Sequence, residues 1–165
     1  KRQRKALMLT PINGASLSSG YGMRRHPVLG YNKMHRGLDF SAPRGTAIVA
    51  AGDGVIERAG RNGSYGNYIR IRHNGTYKTA YAHMKGFARG IRAGKRVRQG
   101  QTIGYVGTTG RSTGPHLHYE VHKNDRQVNP RSIKLPSGRD RKGSELTGLK
   151  GHRSVRENHY AALTQ

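Results

Sequence analysis

The stretch from Ile69 to His83 restricts the fold more than any other. Ile69 and Ile71 alternate with Arg70 and Arg72, Asn74-Gly75 supplies residues suited to a type I′ turn, and Tyr77 to His83 returns. An antiparallel hairpin is predicted. On its second arm Tyr77, Thr79, Tyr81 and His83 fall on one face, which places His83 at a strand end beside two tyrosines. The remaining apolar segments are equally short. Ala47 to Ala51, Val55 to Ala59 and the pieces around Val97, Ile103 and Val106 are cut by turns, and the chain holds 24 glycines. Many short strands with few helical periods indicate an all-β, antiparallel β-sheet domain over residues 17–130. Ser18 to Met34 lacks a clear period and reads as a long surface loop, the kind of segment that walls a binding groove. Residues 1–16 read as an N-terminal linker or edge strand. Residues 131–165 read as a basic C-terminal appendage, in which Ser144 is a candidate cap for a short helix toward Leu163.

Charge narrows the setting. The chain carries 31 Lys and Arg against 8 Asp and Glu, a formal net charge of +23. Between Leu17 and Pro130 the counts are 19 and 5, a net of +14, so the basic character belongs to the body as well as the tails. Charge alone would suit any polyanion, nucleic acid included, and equally the anionic envelope of a bacterium. There is no cysteine, which excludes disulfides and thiolate metal sites and leaves His, Asp and Glu as metal ligands. No apolar run approaches the length of a membrane span or a signal-peptide core. With Lys1 at the start, the expectation is a fragment of a longer exported or membrane-anchored protein.

The segment Gly114-Pro115-His116-Leu117-His118-Tyr119-Glu120 puts two imidazoles two residues apart on a predicted strand. Both rings therefore leave the same face, with Glu120, while Leu117, Tyr119 and Val121 take the core side. Upstream, His35 and Asp39 are four residues apart, and Gly37 and Pro43 argue that a loop enters a strand there. His35, Asp39 and one histidine of the His116/His118 pair make three protein ligands, which leaves a fourth tetrahedral position for water, the pattern of a catalytic zinc site. Such a metal lowers the pKa of its water from 15.7 to roughly 7 and polarises a carbonyl, which fits amide hydrolysis. The other histidine of the pair and His83 are then free to orient or deprotonate the water and to stabilise an oxyanion. Glu120 is a candidate to fix a ligand tautomer and stays outside the catalytic set. Tyr81 is the one tyrosine singled out to line the groove, and Arg111 is the candidate to meet a substrate carboxylate. His26, His73, His122, His152 and His159 have no matching context and read as surface residues.

Three motifs now stand in order: His35-x-x-x-Asp39, Tyr81-x-His83, and His116-x-His118 within Gly-Pro-His-Leu-His-Tyr-Glu. With the flanking Gly37-Leu38-Asp39-Phe40, Gly45-Thr46 and Gly107 to Gly114, the chain from about Ser18 to Pro130 resembles the lysostaphin/LytM-type zinc endopeptidases of bacterial cell-wall metabolism. The resemblance implies one Zn²⁺ held by His35, Asp39 and His118, with His83 and His116 as the catalytic pair. It implies an antiparallel β-sheet fold with a loop-walled groove, and cleavage of peptide bonds in peptidoglycan stem peptides, not nucleic acid as partner. Thr108 to Val121, followed by Val128-Asn129-Pro130, is most similar to the Gram-negative branch, which cuts the D-alanyl to meso-diaminopimelate cross-link. A periplasmic or cell-envelope location follows. Some members have lost ligands and act as non-catalytic, wall-binding activators of amidases; here every motif position is filled.

Overall fold

The computed structural model describes residues 6–25, 32–133 and 160–161. In chain order its strands are β1 (Leu7–Met8), β2 (Ser16–Ser19), β3 (Gly22–Arg25), β4 (Asn32–His35), β5 (Leu38–Ser41), β6 (Ala47–Val49) and β7 (Gly54–Arg61). They continue with β8 (Asn67–Arg72), β9 (Tyr77–Phe87), β10 (Arg96–Val97), β11 (Thr102–Val106), β12 (His116–Lys123), β13 (Arg126–Val128) and β14 (Tyr160–Ala161). The expected all-β, antiparallel architecture is what forms. Seven strands lie side by side in the order β10-β7-β8-β9-β12-β5-β2. The long strand β9 serves two layers, because Tyr77 to Ala82 pairs with β12 while Met84 to Phe87 pairs with β11, which in turn pairs with β6. Among the described residues no helix is long and apolar enough to cross a membrane.

Alternation divides the central strands into two faces. Ile69 and Ile71 of β8, Tyr81 of β9, Leu117, Tyr119 and Val121 of β12, and Leu38 and Phe40 of β5 join one buried cluster with Ile48, Ile103 and Val106 of the second layer. Each such aliphatic side chain contributes roughly 1.5–3 kcal/mol by leaving water. Leu7 and Ile12 are buried in the same cluster, so the N-terminal segment packs against the body. The opposite face of β9 and β12 carries His118, Glu120, Ala80 and Ala82, with His118 across from Ala82 and Glu120 across from Ala80. Small alanines there leave room above the sheet.

Two local expectations are corrected, and a third lies largely outside the described residues. The hairpin exists, but Asn74-Gly75 does not take the left-handed backbone of a type I′ turn. Residues 73–76 form a four-residue loop in which Asn74 Oδ1 accepts the N–H groups of Thr76 and Tyr77, at 2.8 and 2.7 Å. An asparagine that bonds the backbone two and three residues on has no need of positive φ. The left-handed pair sits instead at Asn124-Asp125, φ 53° and 66°, in the tight turn from β12 to β13. Second, the described part of Ser18 to Met34 is not loop: β2 adds to the sheet edge beside β5, and β3 pairs with β4. A two-stranded ribbon has no buried face to impose alternation, and Met23 on it is 65% exposed. Third, the predicted C-terminal helix lies outside the described residues except at its end. There Tyr160–Ala161 is extended and pairs with Leu7–Met8.

Candidate active site

Strand pairing builds the centre. β5 and β12 are antiparallel neighbours with Asp39 opposite His118, so carboxylate and imidazole meet across the ladder, Asp39 Oδ1 lying 2.8 Å from His118 Nδ1. His35 ends β4, and its Nε2 lies 3.1 Å from Asp39 Oδ2. One ligand atom from each of His35, Asp39 and His118 falls within 4.8 Å of the other two, a group that can hold a metal ion. Gly37 permits this closure: a Cβ there would stand 2.6 Å from Tyr119 O and 2.8 Å from His118 Cε1.

Each ring's orientation is fixed from behind. His35 Nδ1 donates to Gly20 O at 2.7 Å, which leaves Nε2 to face Asp39. His118 Nε2 meets Glu120 Oε2 at 2.8 Å, which leaves Nδ1 to face Asp39. Glu120 is only 2% exposed and also accepts from Tyr65 Oη at 2.8 Å and His122 Nε2 at 2.7 Å. This carboxylate-to-imidazole contact is the kind that sets a ligand's tautomer and basicity. Burial opposes the charge on both carboxylates, yet hydrogen bonds from His118 and His35 to Asp39, and from His118 and His122 to Glu120, hold both below the usual carboxylate range. Burial likewise opposes charge on His118, but Asp39 and Glu120 outweigh it and raise its pKa to about 9 without metal. A cation binding at Nδ1 takes the place of that proton.

The second pair of histidines faces the same space. His83 has φ 62°, a left-handed conformation that costs a non-glycine residue on the order of 1 kcal/mol. Asn67 pairs with Met84 and Ile69 with Tyr81, so three steps along β9 match two along β8. This bulge turns His83 off the core side occupied by Tyr81 and onto the site face, the re-aiming that bulges perform beside active sites. Its Nδ1 donates to Thr109 O at 2.8 Å, and His116 Nδ1 donates to Gly114 O at 2.9 Å. Both Nε2 atoms are therefore left for chemistry. The ring centroids are 4.8 Å apart, close enough that two positive charges would repel. Burial, with the neighbouring His116 and His118, lowers the His83 pKa and favours its neutral form.

These groups line one open cavity of about 440 Å³, along with Tyr65, Gln127, Arg36 and Arg111. The loop bearing Thr109 and Arg111 reaches the site by crossing over residues 64–66, where Arg111 N donates to Ser64 O at 2.7 Å. A Cβ on Gly66 or Gly110 would collide with the backbone of the other segment, so this crossing requires glycine at both positions.

Of the residues singled out in the sequence, His35, Asp39, His83, His116, His118 and Arg111 come together at the cavity. Tyr81 does not. It is 0% exposed on the core side, its hydroxyl accepting from Ala51 N at 2.9 Å and bonding Thr79 Oγ1 at 2.6 Å, so it cannot line the groove. The surface reading of His73 and His122 is also corrected. His122 bonds Glu120, and His73 is held between Asp53 O and Thr79 Oγ1, both at 2.7 Å. Tyr65, one of the tyrosines that could line a groove but in a glycine-rich loop with no period to show which way it points, does line the cavity, as do Arg36 beside His35 and Gln127 on the short strand β13, neither of which the sequence singles out. Glu120 is singled out, through its place two residues beyond His118.

The fold and this donor set define a metallopeptidase domain: residues 33–130 match peptidase family M23, and the chain belongs to that family. Among curated proteins it is 48% identical over 144 residues to the peptidoglycan DD-endopeptidase ShyC of Vibrio cholerae, covering 87% of this chain and 33% of that protein. It is 47% identical over 129 residues to the DD-carboxypeptidase/endopeptidase Mpg of Neisseria meningitidis, covering 78% and 29%. Among solved structures it is similar to a zinc-containing peptidase from Vibrio cholerae, at 37% identity and TM-score 0.73 over 81% of this chain and 41% of that one. The catalytic domain of lysostaphin from Staphylococcus simulans matches at 32% identity and TM-score 0.63, covering 72% and 90%. The chain spans about a third of the length of the curated relatives it matches. The zinc expected from the sequence agrees with the His35, Asp39 and His118 group and with the zinc-containing neighbour.

Proposed function

We propose that this domain is a zinc endopeptidase that hydrolyses peptide cross-links of peptidoglycan, at the D-alanyl to meso-diaminopimelate bond, in the bacterial envelope. The observation that carries the reading is the convergence of two sets of side chains on one cavity. Three metal-binding atoms lie within 4.8 Å of one another, beside two histidines whose Nδ1 atoms are tied to backbone carbonyls. His35 through Nε2, Asp39, and His118 through Nδ1 would hold the zinc. When bound, zinc supplies Lewis acidity to the scissile carbonyl and lowers the pKa of a coordinated water.

The chain's own residues do the rest. His83, kept neutral by burial, accepts a proton at Nε2. His116, whose Nε2 lies 3.9 Å from Asp39 Oδ1, faces the same point and, when protonated, donates at Nε2 to the developing oxyanion or the leaving nitrogen. Their proximity disfavours positive charge on both rings at once, which suits one base and one acid. The relatives support the substrate class, since ShyC and Mpg are both named for DD-peptidase activity.

The experiment is digestion of purified meso-diaminopimelate peptidoglycan by the zinc-loaded domain, with and without a chelator and beside His116→Ala, read by mass spectrometry. Cross-linked dimers should become monomers only in the untreated wild-type lane. Intact dimers in every lane would refute the hydrolytic reading and favour the non-catalytic activator.

A further inference from the structure

Among the described residues, Arg36 and Arg111 are the two arginines of the cavity lining, and no lysine joins them there. Among the described residues no carboxylate pairs with either. The five described acidic side chains are engaged elsewhere. Asp39 and Glu120 hold the histidines, Glu57 pairs with Arg70 and Lys78, Asp125 with Lys78, and Asp53 accepts from Gln99 N. A divalent cation would offset the charges of Asp39 and Glu120, and the two guanidiniums then leave the cavity positive. An electropositive, partly enclosed cleft selects for anionic substrate.

The two arginines come from different segments, Arg36 between β4 and β5 and Arg111 between β11 and β12. Arg36 follows the ligand His35. Arg111 lies between Thr109, whose carbonyl holds His83, and Ser112, whose Oγ is 3.2 Å from His116 Nδ1. Where a proton from the histidine pair reaches the departing nitrogen, the amine half of the scissile bond falls beside the loop that carries Arg111.

Building on the hydrolytic reading above, we propose that Arg111 binds a carboxylate carried by the same carbon as the scissile amide nitrogen. In a D-alanyl to meso-diaminopimelate link that carbon bears such a carboxylate, whereas in a glycine bridge an internal residue has none. A planar guanidinium takes a carboxylate through two parallel N–H donors, which fixes orientation as well as adding affinity. Arg36, which adjoins His35 and not the histidine pair, has no part in this discrimination.

The test uses two synthetic cross-linked peptides that differ only at this carboxyl, free acid against primary amide, with the zinc-loaded wild type, Arg111→Gln, Arg36→Gln and the distant Arg92→Gln. The wild type should favour the acid in kcat/KM by about tenfold to a hundredfold, the range expected for one charge-assisted pair. In Arg111→Gln the preference should fall to near one, and in Arg36→Gln and Arg92→Gln it should persist. Comparing ratios cancels the altered basicity of the leaving amine. No preference in the wild type, or its loss through Arg36→Gln and not Arg111→Gln, would overturn the proposal. Calorimetric titration of the uncleaved amine product, a meso-diaminopimelate tripeptide as acid and as amide, supplies a readout independent of turnover. If the wild type cleaves neither peptide, the hydrolytic reading fails by itself. The subsite then stands on an Arg111-dependent preference for the acid product, or falls on equal binding.

Discussion

The two faces of β12 carry opposite kinds of side chain on one backbone. Leu117, Tyr119 and Val121 enter the core, while His116, His118, Glu120 and His122 turn the other way, and Glu120 on that polar face is as thoroughly buried as most of the core. The core face is held by contact area, which tolerates modest changes of shape if volume is kept. The polar face is held by hydrogen bonds that converge on Glu120, which takes Tyr65, His118 and His122. Removing one member there leaves a partner unsatisfied. Stability and chemistry are thus separable by face, and substitutions on one strand can test the separation.

The largest effect is expected at the histidine pair. His83→Ala or His116→Ala should lower kcat by about 10² to 10⁴-fold, the range for losing a general acid or base, while bound zinc and the urea unfolding midpoint change little. A collapse of zinc content in either variant would show that the pair shares the ligands' work. Leu117→Ala, next to His116 on the other face of β12, should behave in the reverse manner. It should lose about 2–5 kcal/mol of stability by the cavity it leaves, with kcat per folded molecule near that of wild type.

Glu120→Gln sharpens the comparison, because it keeps shape and removes charge. Zinc affinity should fall by about 10- to 100-fold, measured by competition with a chromophoric chelator, as His118 loses the carboxylate that fixes its ring. Unchanged affinity would mean that Glu120 serves only to satisfy Tyr65 and His122.

Much of this site was legible in the sequence because its residues belong to periodic elements. A His-x-His on a strand puts both rings on one face whatever surrounds it, and Glu120 two residues on must join them. His35 and Asp39 were legible as a pair, and the ordered motifs bound them to His118. His83 was legible as a participant but not as a geometry. Strict alternation from Tyr81 would send it into the core, and only a left-handed residue in mid-strand, which a register shift between β8 and β9 imposes, returns it to the cavity. That shift depends on tertiary pairing and leaves no local mark. The error over Tyr81 has the same origin, since the residue adjoining a motif was credited with the motif's face. The β3–β4 ribbon escaped notice because neither of its sides is dictated by a core.

The smallest effect expected lies in the core-side polar chain that claims Tyr81. Ala51 N–H donates to the Tyr81 hydroxyl, which donates to Thr79, which donates to His73 Nε2, while His73 Nδ1–H donates to Asp53 O. That direction of donation is the one that satisfies every member, and it requires His73 to be neutral. Burial, against the opposing pull of Asp53, lowers its pKa from 6.5 to about 4. Because the folded value is the lower one, the unfolded chain binds more protons between pH 6.5 and 4. Stability from this group is therefore full above pH 6.5 and declines as pH falls toward 4. Other histidines and carboxylates titrate in the same window, so the quantity to measure is a difference: urea midpoints of wild type and His73→Gln at pH 7 and pH 5, both with zinc removed. The gap between the two proteins should narrow at pH 5. A gap independent of pH would mean that His73 holds its place by packing, and that the chain from Ala51 to Asp53 tolerates an imidazolium.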